Sequence, residues 1–457
     1  ELRGEGKAVG DCQLGMMVEV PAAALELEAF DTDFVSIGSN DLVQYLLAVG
    51  RDSSAVAALA DVCEPAVLRL IAAVVDSARR RGIPVSLCGD AGADPRALPR
   101  LLATGLRSVS VVPAAVGRPG AIHLWRHTMK KLINAVDTVL ADSLAGFCAA
   151  HADLVVLGEA GKYIRRAGLK PGKVALVSGG GAGHEPLHAG FVGHGMLDAA
   201  CPGQVFTSPT PDQMLAASEA VDTGAGVLYI VKNYEGDVMN FDMAVEMASG
   251  EALSVLVHDD VAVEASTFSA GRRGVAGTLV VEKILGAAAE AGMDLPGLKA
   301  LGERVVAAIR SMGVALSSCT VPAVGKPTFE LGEDEMEMGV GIHGEPGRRR
   351  VKLASADAIA AEMLGTMLDD RGGAAGNEVL LLVNGFGATP AMELYLMYHA
   401  ARQYLQSRGL TVVRSLVGNY VTSLDMAGCS LSLGWLDEEM LGHWDAPVHT
   451  PALRVGM

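Results

Sequence analysis

Short apolar runs alternate with longer helical stretches in the first quarter of the chain. Four runs predict strands, "MMVEVP", "FVSIGS", "PVSLCGD" and "SVSVVP", at residues 16–21, 34–39, 84–90 and 108–113. Between the second and the third, "PAVLRLIAAVVDSARRRG" places apolar residues at helical spacing and predicts a helix that ends at Gly82. This β-α repetition predicts a parallel sheet.

From residue 173 onward, apolar strands end in glycine-rich or polar loops. The pattern occurs in "KVALVSGGGAG", "GVLYIVKNYEGD" and "EVLLLVNGFGATP", and "ALSVLVHDDVAV" is a fourth strand candidate. Parallel strands with polar loops at their carboxyl ends form ligand crevices, and glycines let backbone N–H groups approach a small ligand closely. Tight turns alone explain any single loop equally well, but they explain the whole set poorly.

The length of the chain and a break in its pattern predict the domains. A chain of 457 residues exceeds the size of one core, so we expect two or three domains. Pro119 and Gly120 interrupt the pattern, which gives predicted domains at 1–125 and 126–457, the second split into two lobes near 310–320. Because residue 1 is Glu, we expect the sequence to begin inside a longer chain.

Composition narrows the class of protein. Half of the residues are apolar and Gly is abundant at 55 residues, which is typical of an α/β enzyme. The net charge of -17 argues against a nucleic-acid partner, and no stretch of about 18 residues is apolar enough to span a membrane. The seven cysteines are widely spread without a CxxC pair, so we expect reduced thiols in a cytoplasmic protein.

The string "HEPLH" at residues 184–188 satisfies the His-Glu-x-x-His pattern of zinc metalloproteases. Zinc binding would require both imidazoles to project from one helical face. Pro186 is tolerated only in the first turn, so a helix could begin at Glu185 or Pro186 and would leave His184 outside it. The two rings would then diverge, and the pattern favours a role other than zinc binding.

A second string, Gly339-x-Gly341-x-x-Gly344, matches the dinucleotide-binding fingerprint literally. That fingerprint requires a helix directly after it, but "EPG" follows, so no helix N-terminus would meet a pyrophosphate. No Gly-Lys pair is followed by Ser or Thr, which argues against a P-loop for ATP.

Two histidines remain in glycine-rich loops, His184 and His343, and Asp237 lies at a strand end. An imidazole with the usual pKa of about 6.5 is mostly neutral near pH 7 and can act as a nucleophile or a base. A carboxylate can take a hydroxyl proton when that oxygen attacks phosphorus. These three residues are the candidate catalytic groups.

The first part of the chain resembles a known barrel. "MMVEVPAAAL", "DFVSIGSNDLVQYLLAVGR" and "VSLCGDAGADPRALPRLLATGLRSVSV" are similar to the last half of the phosphoenolpyruvate-binding barrel of enzyme I of the bacterial phosphotransferase system. The resemblance implies that Glu19 and Asp41 hold Mg²⁺ and that Asn40 and Arg51 contact phosphoenolpyruvate. It also implies that Cys88 is the acid that protonates the enolate carbon.

Three features separate this part from an intact barrel. Gly50 stands where the family has an acidic residue, "CGD" replaces "CGE", and the first half of the barrel is absent. Four strands of eight cannot close a barrel, and they leave an open sheet edge. We therefore expect an inactive (β/α) barrel fragment, with residual phosphoenolpyruvate-protein phosphotransferase activity as the alternative.

The second part resembles another family over residues 129–457. The likeness is carried by "GKVALVSGGGAGHEPLHAGFVGHGMLDAACPGQVFTSPTPDQ", "VKNYEGDVMNFDMA", "CTVPAVGKPTFELGEDEMEMGVGIHGEPG" and "NGFGATPAMELY", among other segments. These are similar to the substrate-binding K subunits of dihydroxyacetone kinases. The resemblance implies a two-lobed α/β domain with glycine-rich loops at its strand ends.

By that resemblance, His343 would attack the ketone carbon of dihydroxyacetone and hold the substrate as a covalent hemiaminal. His184 would hydrogen-bond the substrate and assist proton transfer, and Asp237 would be the base for the hydroxyl that receives phosphate. The remaining substrate oxygens would be positioned by Gly181, Ser208 and Lys232. Ala182 stands where Ser is common, a difference that touches none of these roles.

We expect the K-type part to bind no cofactor itself. The Asp-rich Mg²⁺-nucleotide motif of relatives that use ATP on one chain does not occur. The donor would therefore be a partner protein. The resemblance implies an L subunit carrying Mg²⁺ and ADP that a phosphocarrier M subunit recharges, and we expect a homodimer. The alternative to a phosphoenolpyruvate-dependent kinase subunit is a non-catalytic dihydroxyacetone sensor that reports through a protein partner.

Overall fold

The computed structural model describes seven ranges of the chain, residues 14–49, 61–94, 96–110, 131–262, 271–345, 347–372 and 376–457. The chain divides into two compact units, Glu1–Val139 and Leu140–Met457. No helix within the seven ranges combines the length and the apolar character that crossing a membrane requires. Arg51, a predicted phosphoenolpyruvate contact, lies outside the described residues.

The first unit contains a parallel sheet in the order β1-β2-β3-β4. Its strands are β1 Gly15–Val18, β2 Phe34–Gly38, β3 Val85–Cys88 and β4 Val109–Ser110. Its helices are α1 Pro21–Leu25, α2 Ser39–Leu47, α3 Pro65–Arg81 and α4 Leu98–Ala103. The four strands lie where the sequence predicted them, and α3 ends at Gly82, whose φ of 68° suits glycine.

The second unit begins with a six-stranded sheet in the order β10-β9-β7-β8-β6-β5. Its strands are β5 Val155–Leu157, β6 Ile164–Arg166, β7 Ala175–Ala182, β8 Ala199–Val205, β9 Val227–Lys232 and β10 Ala252–Val257. The helices of this region are α5 Val139–Ala150, α6 Pro211–Val221, α7 Glu235–Met247, α8 Gly277–Glu290 and α9 Leu295–Ala308. The four strands from β10 to β8 run parallel, so their polar loops share one edge of the sheet.

A second six-stranded sheet follows in the order β13-β12-β11-β16-β14-β15. Its strands are β11 Ile309–Ala315, β12 Glu335–Met338, β13 Arg349–Lys352, β14 Glu378–Gly385, β15 Thr411–Gly418 and β16 Gly428–Gly434. The remaining elements are α10 Ala356–Arg371, α11 Ala391–Ser407, α12 Glu438–Asp445, β17 Val448–His449 and β18 Arg454–Val455. The predicted strand β14 thus lies outside the first sheet, and its neighbour β16 runs antiparallel to it.

Helix α8 forms the centre of the main core. Every residue of this helix except the last is buried, although Glu282 and Lys283 lie in its middle. A helix that is apolar on all sides is typical of a core position. The two charged residues therefore need partners inside the protein, because a buried unpaired charge is very costly.

Candidate active site

The two loop histidines lie side by side. His184 follows β7 and His343 follows β12, and their ring centroids are 4.7 Å apart at an interplanar angle of 89°. Phe206 stacks on His184 at 5.1 Å, and Tyr234 meets His343 edge-on at 4.3 Å. Residues that are distant along the chain thus form one aromatic cluster.

His184 is fully buried, and its hydrogen bond defines its tautomer. Its Nδ1 lies 2.8 Å from the carbonyl oxygen of Thr422, which can only accept, so the proton resides on Nδ1. Burial, followed by the neighbouring His343 and Lys232, lowers the pKa of His184 well below 6.5. Its Nε2 therefore keeps a lone pair, and it has no hydrogen-bond partner within the described ranges. This nitrogen can accept a proton from a ligand hydroxyl.

His343 combines partial exposure with a neutral ring. The residue is neither fully buried nor exposed. Burial, followed by the positive charges of Lys232 and Arg273, lowers the pKa of His343 to about 3. The ring is therefore neutral near pH 7, which is the form that acts as a nucleophile.

A buried ion-pair network holds the loop that carries His343. The backbone N–H of His343 donates to Glu345 Oε2 at 2.9 Å, and Glu345 Oε1 accepts from Arg273 at 2.9 Å. The same guanidinium donates from Nε to Asp260 at 2.8 Å and from Nη2 to the carbonyl oxygen of Gly339 at 2.8 Å. Arg273 thus joins both ends of the loop to the segment after β10.

We expect Arg273→Met to lower the free energy of unfolding by about 3–5 kcal/mol, because it leaves two buried carboxylates without their cation. Denaturant titration with circular dichroism measures this loss. The matched control is Arg349→Met, which removes an exposed pairing with Glu362 and should cost far less. Equal losses in the two variants would contradict the proposed importance of the buried network.

The second half of the site contains Asp237 in the first turn of α7 and Lys232 at the end of β9. Lys232 Nζ lies 3.7 Å from Asp237 Oδ2. A Cβ on Gly236 would lie 2.8 Å from the Ser208 hydroxyl, which places Ser208 beside the first turn of α7. Burial raises the pKa of Asp237, and the positive charge of Lys232 partly offsets this rise. Burial also lowers the pKa of Lys232. Asp237 Oδ1 has no hydrogen-bond partner in the described part of the chain, so it is available to a ligand.

The glycine-rich end of β7 brings these groups close to the backbone. A Cβ on Gly180 would lie 2.3 Å from Lys232 Nζ, and a Cβ on Gly181 would lie 2.6 Å from the backbone nitrogen of Thr207. Phe206, beside them, has a φ of 55°, a conformation that is strained for an aromatic residue. Such strain is commonly found at functional sites.

The His-Glu-x-x-His segment does not form the helix that the sequence allowed from Glu185 or Pro186. Residues 185–188 form a turn, which Thr422 holds by donating from its hydroxyl to the Glu185 carbonyl oxygen. His188 binds Glu282 and Lys232 instead of sharing a ligand with His184. Among the residues that the structure describes, no group of three or more His, Cys, Asp or Glu side chains could hold a metal ion.

The first unit brings four of its predicted site residues to the carboxyl end of the sheet, namely Glu19, Asn40, Asp41 and Cys88. Asn40 exchanges two hydrogen bonds of 3.1 Å with Asp90. A Cβ on Gly38 would fall 2.6 Å from Cγ of Glu19, which places Glu19 against the end of β2.

Sequence reasoning missed four residues of the second unit, Phe206, Tyr234, Arg273 and Glu282. Glu282 had a usable signal, because a charged residue inside the apolar run of α8 implies a buried partner. Tyr234 directly precedes α7 and lies two residues after Lys232, so it shares the loop at the end of β9. The role of Phe206 depends on its backbone conformation and has no comparable signal.

Two family profiles match the chain. The profile of the Dak1 domain matches residues 145–452. The chain belongs to the Dak1 family. The profile of the PEP-binding domain of PEP-utilising enzymes matches residues 1–123. The second unit, Leu140–Met457, which contains the Dak1 match, is called the Dak1 unit below.

The Dak1 unit is similar to kinase subunits and to a regulator. The dihydroxyacetone-binding subunit DhaK of PTS-dependent dihydroxyacetone kinase 1 from Listeria innocua is 53% identical over 314 residues, 68% of this chain and 95% of that subunit. The solved structure of the dihydroxyacetone kinase operon co-activator Dha-DhaQ has a TM-score of 0.65 and 36% identity, covering 68% of this chain and 97% of the co-activator.

A third similar protein has been solved with a nucleotide. The dihydroxyacetone kinase from C. freundii in complex with AMP-PNP and Mg²⁺ has a TM-score of 0.65 and 31% identity. The match covers 71% of this chain and 61% of that kinase. The fold of the Dak1 unit is therefore the α/β fold of these proteins, as the sequence predicted.

Proposed function

We propose that the Dak1 unit is the dihydroxyacetone-binding subunit of a phosphoenolpyruvate-dependent dihydroxyacetone kinase. The observation that carries this proposal is the neutral ring of the half-buried His343. It lies beside His184, whose Nε2 has no hydrogen-bond partner among the described residues. A neutral imidazole nitrogen is the form that can bond to a carbonyl carbon. The names of the relative from Listeria innocua and of the C. freundii kinase support the same substrate.

In the proposed adduct, an imidazole nitrogen of His343 forms a bond to the ketone carbon of dihydroxyacetone. The π electrons of the carbonyl move to its oxygen, and one imidazole proton ends on that oxygen, so no atom leaves. The free Nε2 of His184 can carry this proton between the two. Only a carbonyl compound can form such an adduct, so glycerol would be excluded by its chemistry.

The phosphoryl acceptor is proposed to be a terminal hydroxyl of the bound substrate. Asp237 would take its proton through the unpartnered Oδ1, and burial favours this role because it makes the carboxylate a stronger base. Lys232, Ser208 and the backbone at Gly181 would position the remaining oxygens. These contacts would hold the hydroxyl in line for transfer.

The phosphoryl group is proposed to come from partner proteins. We propose an L subunit that holds ADP and Mg²⁺ and a phosphocarrier M subunit that recharges it, with a homodimer of this chain at the centre. The Listeria innocua relative belongs to a PTS-dependent kinase, which supports a phosphocarrier as the source. The free thiols of the six described cysteines support a cytoplasmic setting.

The first unit is proposed to be a fragment of a phosphoenolpyruvate-binding barrel, with domain boundaries at 1–125 and 126–457. Glu19 and Asp41 would supply two carboxylates, which are hard oxygen ligands that suit Mg²⁺. The ion would neutralise charge on a bound phosphate. Asn40 and Arg51 would contact phosphoenolpyruvate and Cys88 would protonate its enolate.

A second candidate function is a dihydroxyacetone sensor, which the likeness to the operon co-activator favours. Reconstitution with L and M subunits, enzyme I, the histidine phosphocarrier and phosphoenolpyruvate separates the two functions. A kinase subunit yields dihydroxyacetone phosphate in this mixture. A sensor forms the adduct and yields no product.

The rate of adduct formation should change by less than about twofold between about pH 7.5 and about pH 5, because His343 stays neutral down to its pKa of about 3. An imidazole with an ordinary pKa would be only about 3% neutral at about pH 5. Time-resolved mass spectrometry of the intact protein measures the rate. A tenfold fall with a midpoint near pH 6.5 would contradict the expected neutral ring.

A further inference from the structure

A continuous chain of buried polar groups connects the middle of α8 to the candidate site. His188 Nδ1 lies 2.6 Å from Glu282 Oε1, and His188 Nε2 lies 2.7 Å from Lys232 Nζ. Lys232 Nζ in turn donates to the carbonyl oxygen of Gly179 at 3.1 Å and lies 3.7 Å from Asp237. The exposed fraction of Glu282 and of Lys232 is 0%, so no solvent competes for these contacts.

The donor role of Lys232 sets the arrangement of protons in this chain. A lysine Nζ donates, so His188 Nε2 must be the acceptor and His188 Nδ1 must carry the proton. That N–H then donates to Glu282. Burial, followed by the charges of Lys232 and His184, lowers the pKa of His188 well below 6.5, which keeps the ring neutral in this tautomer.

We propose that His188 and Glu282 are positioning residues, which fix the Lys232 amine against Asp237 and the substrate. This assignment rests on the proposed function of the Dak1 unit. Glu282 selects the tautomer of His188, and the unprotonated Nε2 of His188 orients one N–H bond of Lys232. The carbonyl of Gly179 takes a second N–H bond, which leaves the third directed to the site.

Two further observations separate this role from that of a stabilising ion pair. Glu282 Oε2 has no hydrogen-bond partner in the described part of the chain, so the carboxylate is only half satisfied. Apolar residues of similar size usually stabilise a core as well as a buried ionic group does. In addition, the absence of a side chain at Gly180 leaves the space that Lys232 Nζ occupies. Several elements are therefore arranged around the position of one amine.

A pair of substitutions at His188 tests which of its two hydrogen bonds, to Lys232 or to Glu282, matters more for substrate binding. His188→Asn keeps an N–H near the Nδ1 position for Glu282 but places no acceptor near Lys232. His188→Gln keeps an acceptor near the Nε2 position for Lys232 but loses the bond to Glu282. We expect the apparent dissociation constant for dihydroxyacetone, titrated by mass spectrometry of the adduct, to rise at least about tenfold in His188→Asn and only about threefold in His188→Gln.

Equal losses in the two variants, with a normal adduct on the unsubstituted protein, would overturn the positioning role and leave the proposed function intact. Circular dichroism establishes that both variants fold. If either does not, Gly180→Ala serves instead, because its Cβ displaces Lys232 Nζ from the opposite side. It should weaken adduct formation at least about tenfold, and an unchanged affinity would also overturn the role.

The tautomer of His188 gives a readout that requires no substrate. We expect ¹⁵N NMR of the full chain to show a neutral ring protonated on Nδ1, and Glu282→Met to shift the ring away from this state. A ring protonated on Nε2 in the unsubstituted protein would overturn the proposal even if dihydroxyacetone binds. Conversely, the expected tautomer without any adduct would refute the proposed function alone.

Discussion

Replacing His343 by alanine should abolish the covalent adduct with dihydroxyacetone and lower the activity of the reconstituted kinase at least about 10³-fold. The substitution removes the nitrogen that bonds to the ketone carbon. His184 is held by its bond to Thr422 for the proposed proton transfer, and Lys232 Nζ is already directed to His188 and Gly179, so neither is placed to replace that nitrogen. Mass spectrometry of the intact protein after incubation with dihydroxyacetone measures the adduct.

The matched control for this prediction is His399→Ala, which removes an exposed histidine from α11. It should leave the adduct and the activity unchanged. His343→Ala should also keep its fold, because the loop is held through the backbone N–H of residue 343. An adduct of the same mass on folded His343→Ala protein would show that another residue is the nucleophile.

Local pattern was sufficient to predict eight of the strands, β1 to β4, β7, β9, β10 and β14, and the histidine loops. Strands β7 and β9 could be predicted because continuous apolar runs end abruptly in glycine or polar residues. Helix α3 could be predicted because its helical spacing of apolar residues stops at a glycine. Each of these signals lies within about 20 residues of sequence, where periodicity is informative.

Order and pairing within the sheets were not readable from local pattern. Strand β14 has the same apolar run and polar loop as β9, yet it pairs with the antiparallel strand β16 in the second sheet. The turn at 185–188 likewise depends on Thr422, a residue far along the chain. Contacts between distant segments decided both outcomes, and the local sequence does not encode them.

The same limit applies to the charged residues of the site. Arg272 and Arg273 are adjacent in the sequence but have different partners. Arg272 pairs with Asp370, whereas Arg273 pairs with Asp260 and Glu345. His188 was readable only as part of a zinc pattern, although its partners are a glutamate and a lysine. The role of a charged side chain depends on the side chain that it contacts. The sequence therefore predicted such roles only where the resemblance to a family indicated both residues.

Asp237→Asn should separate substrate binding from phosphoryl transfer. We expect the adduct on His343 to form normally, while the turnover of the reconstituted kinase falls by about 10²–10⁴-fold. The adduct forms at the ketone carbon and does not require the carboxylate, whereas the attacking hydroxyl loses its base. Asparagine has nearly the same shape as aspartate, so the geometry should be preserved.

The substitution also removes a negative charge beside Lys232, but that amine keeps its hydrogen bonds to His188 and to the carbonyl oxygen of Gly179. The fold should therefore survive. Asp242→Asn is the matched control, because Asp242 is an exposed carboxylate on the same helix and should leave turnover unchanged. If Asp237→Asn lost the adduct and the turnover together, Asp237 would act in holding the substrate. If turnover were retained, the base for the hydroxyl would have to be another group, and His184, with its free Nε2, would be the next residue to substitute.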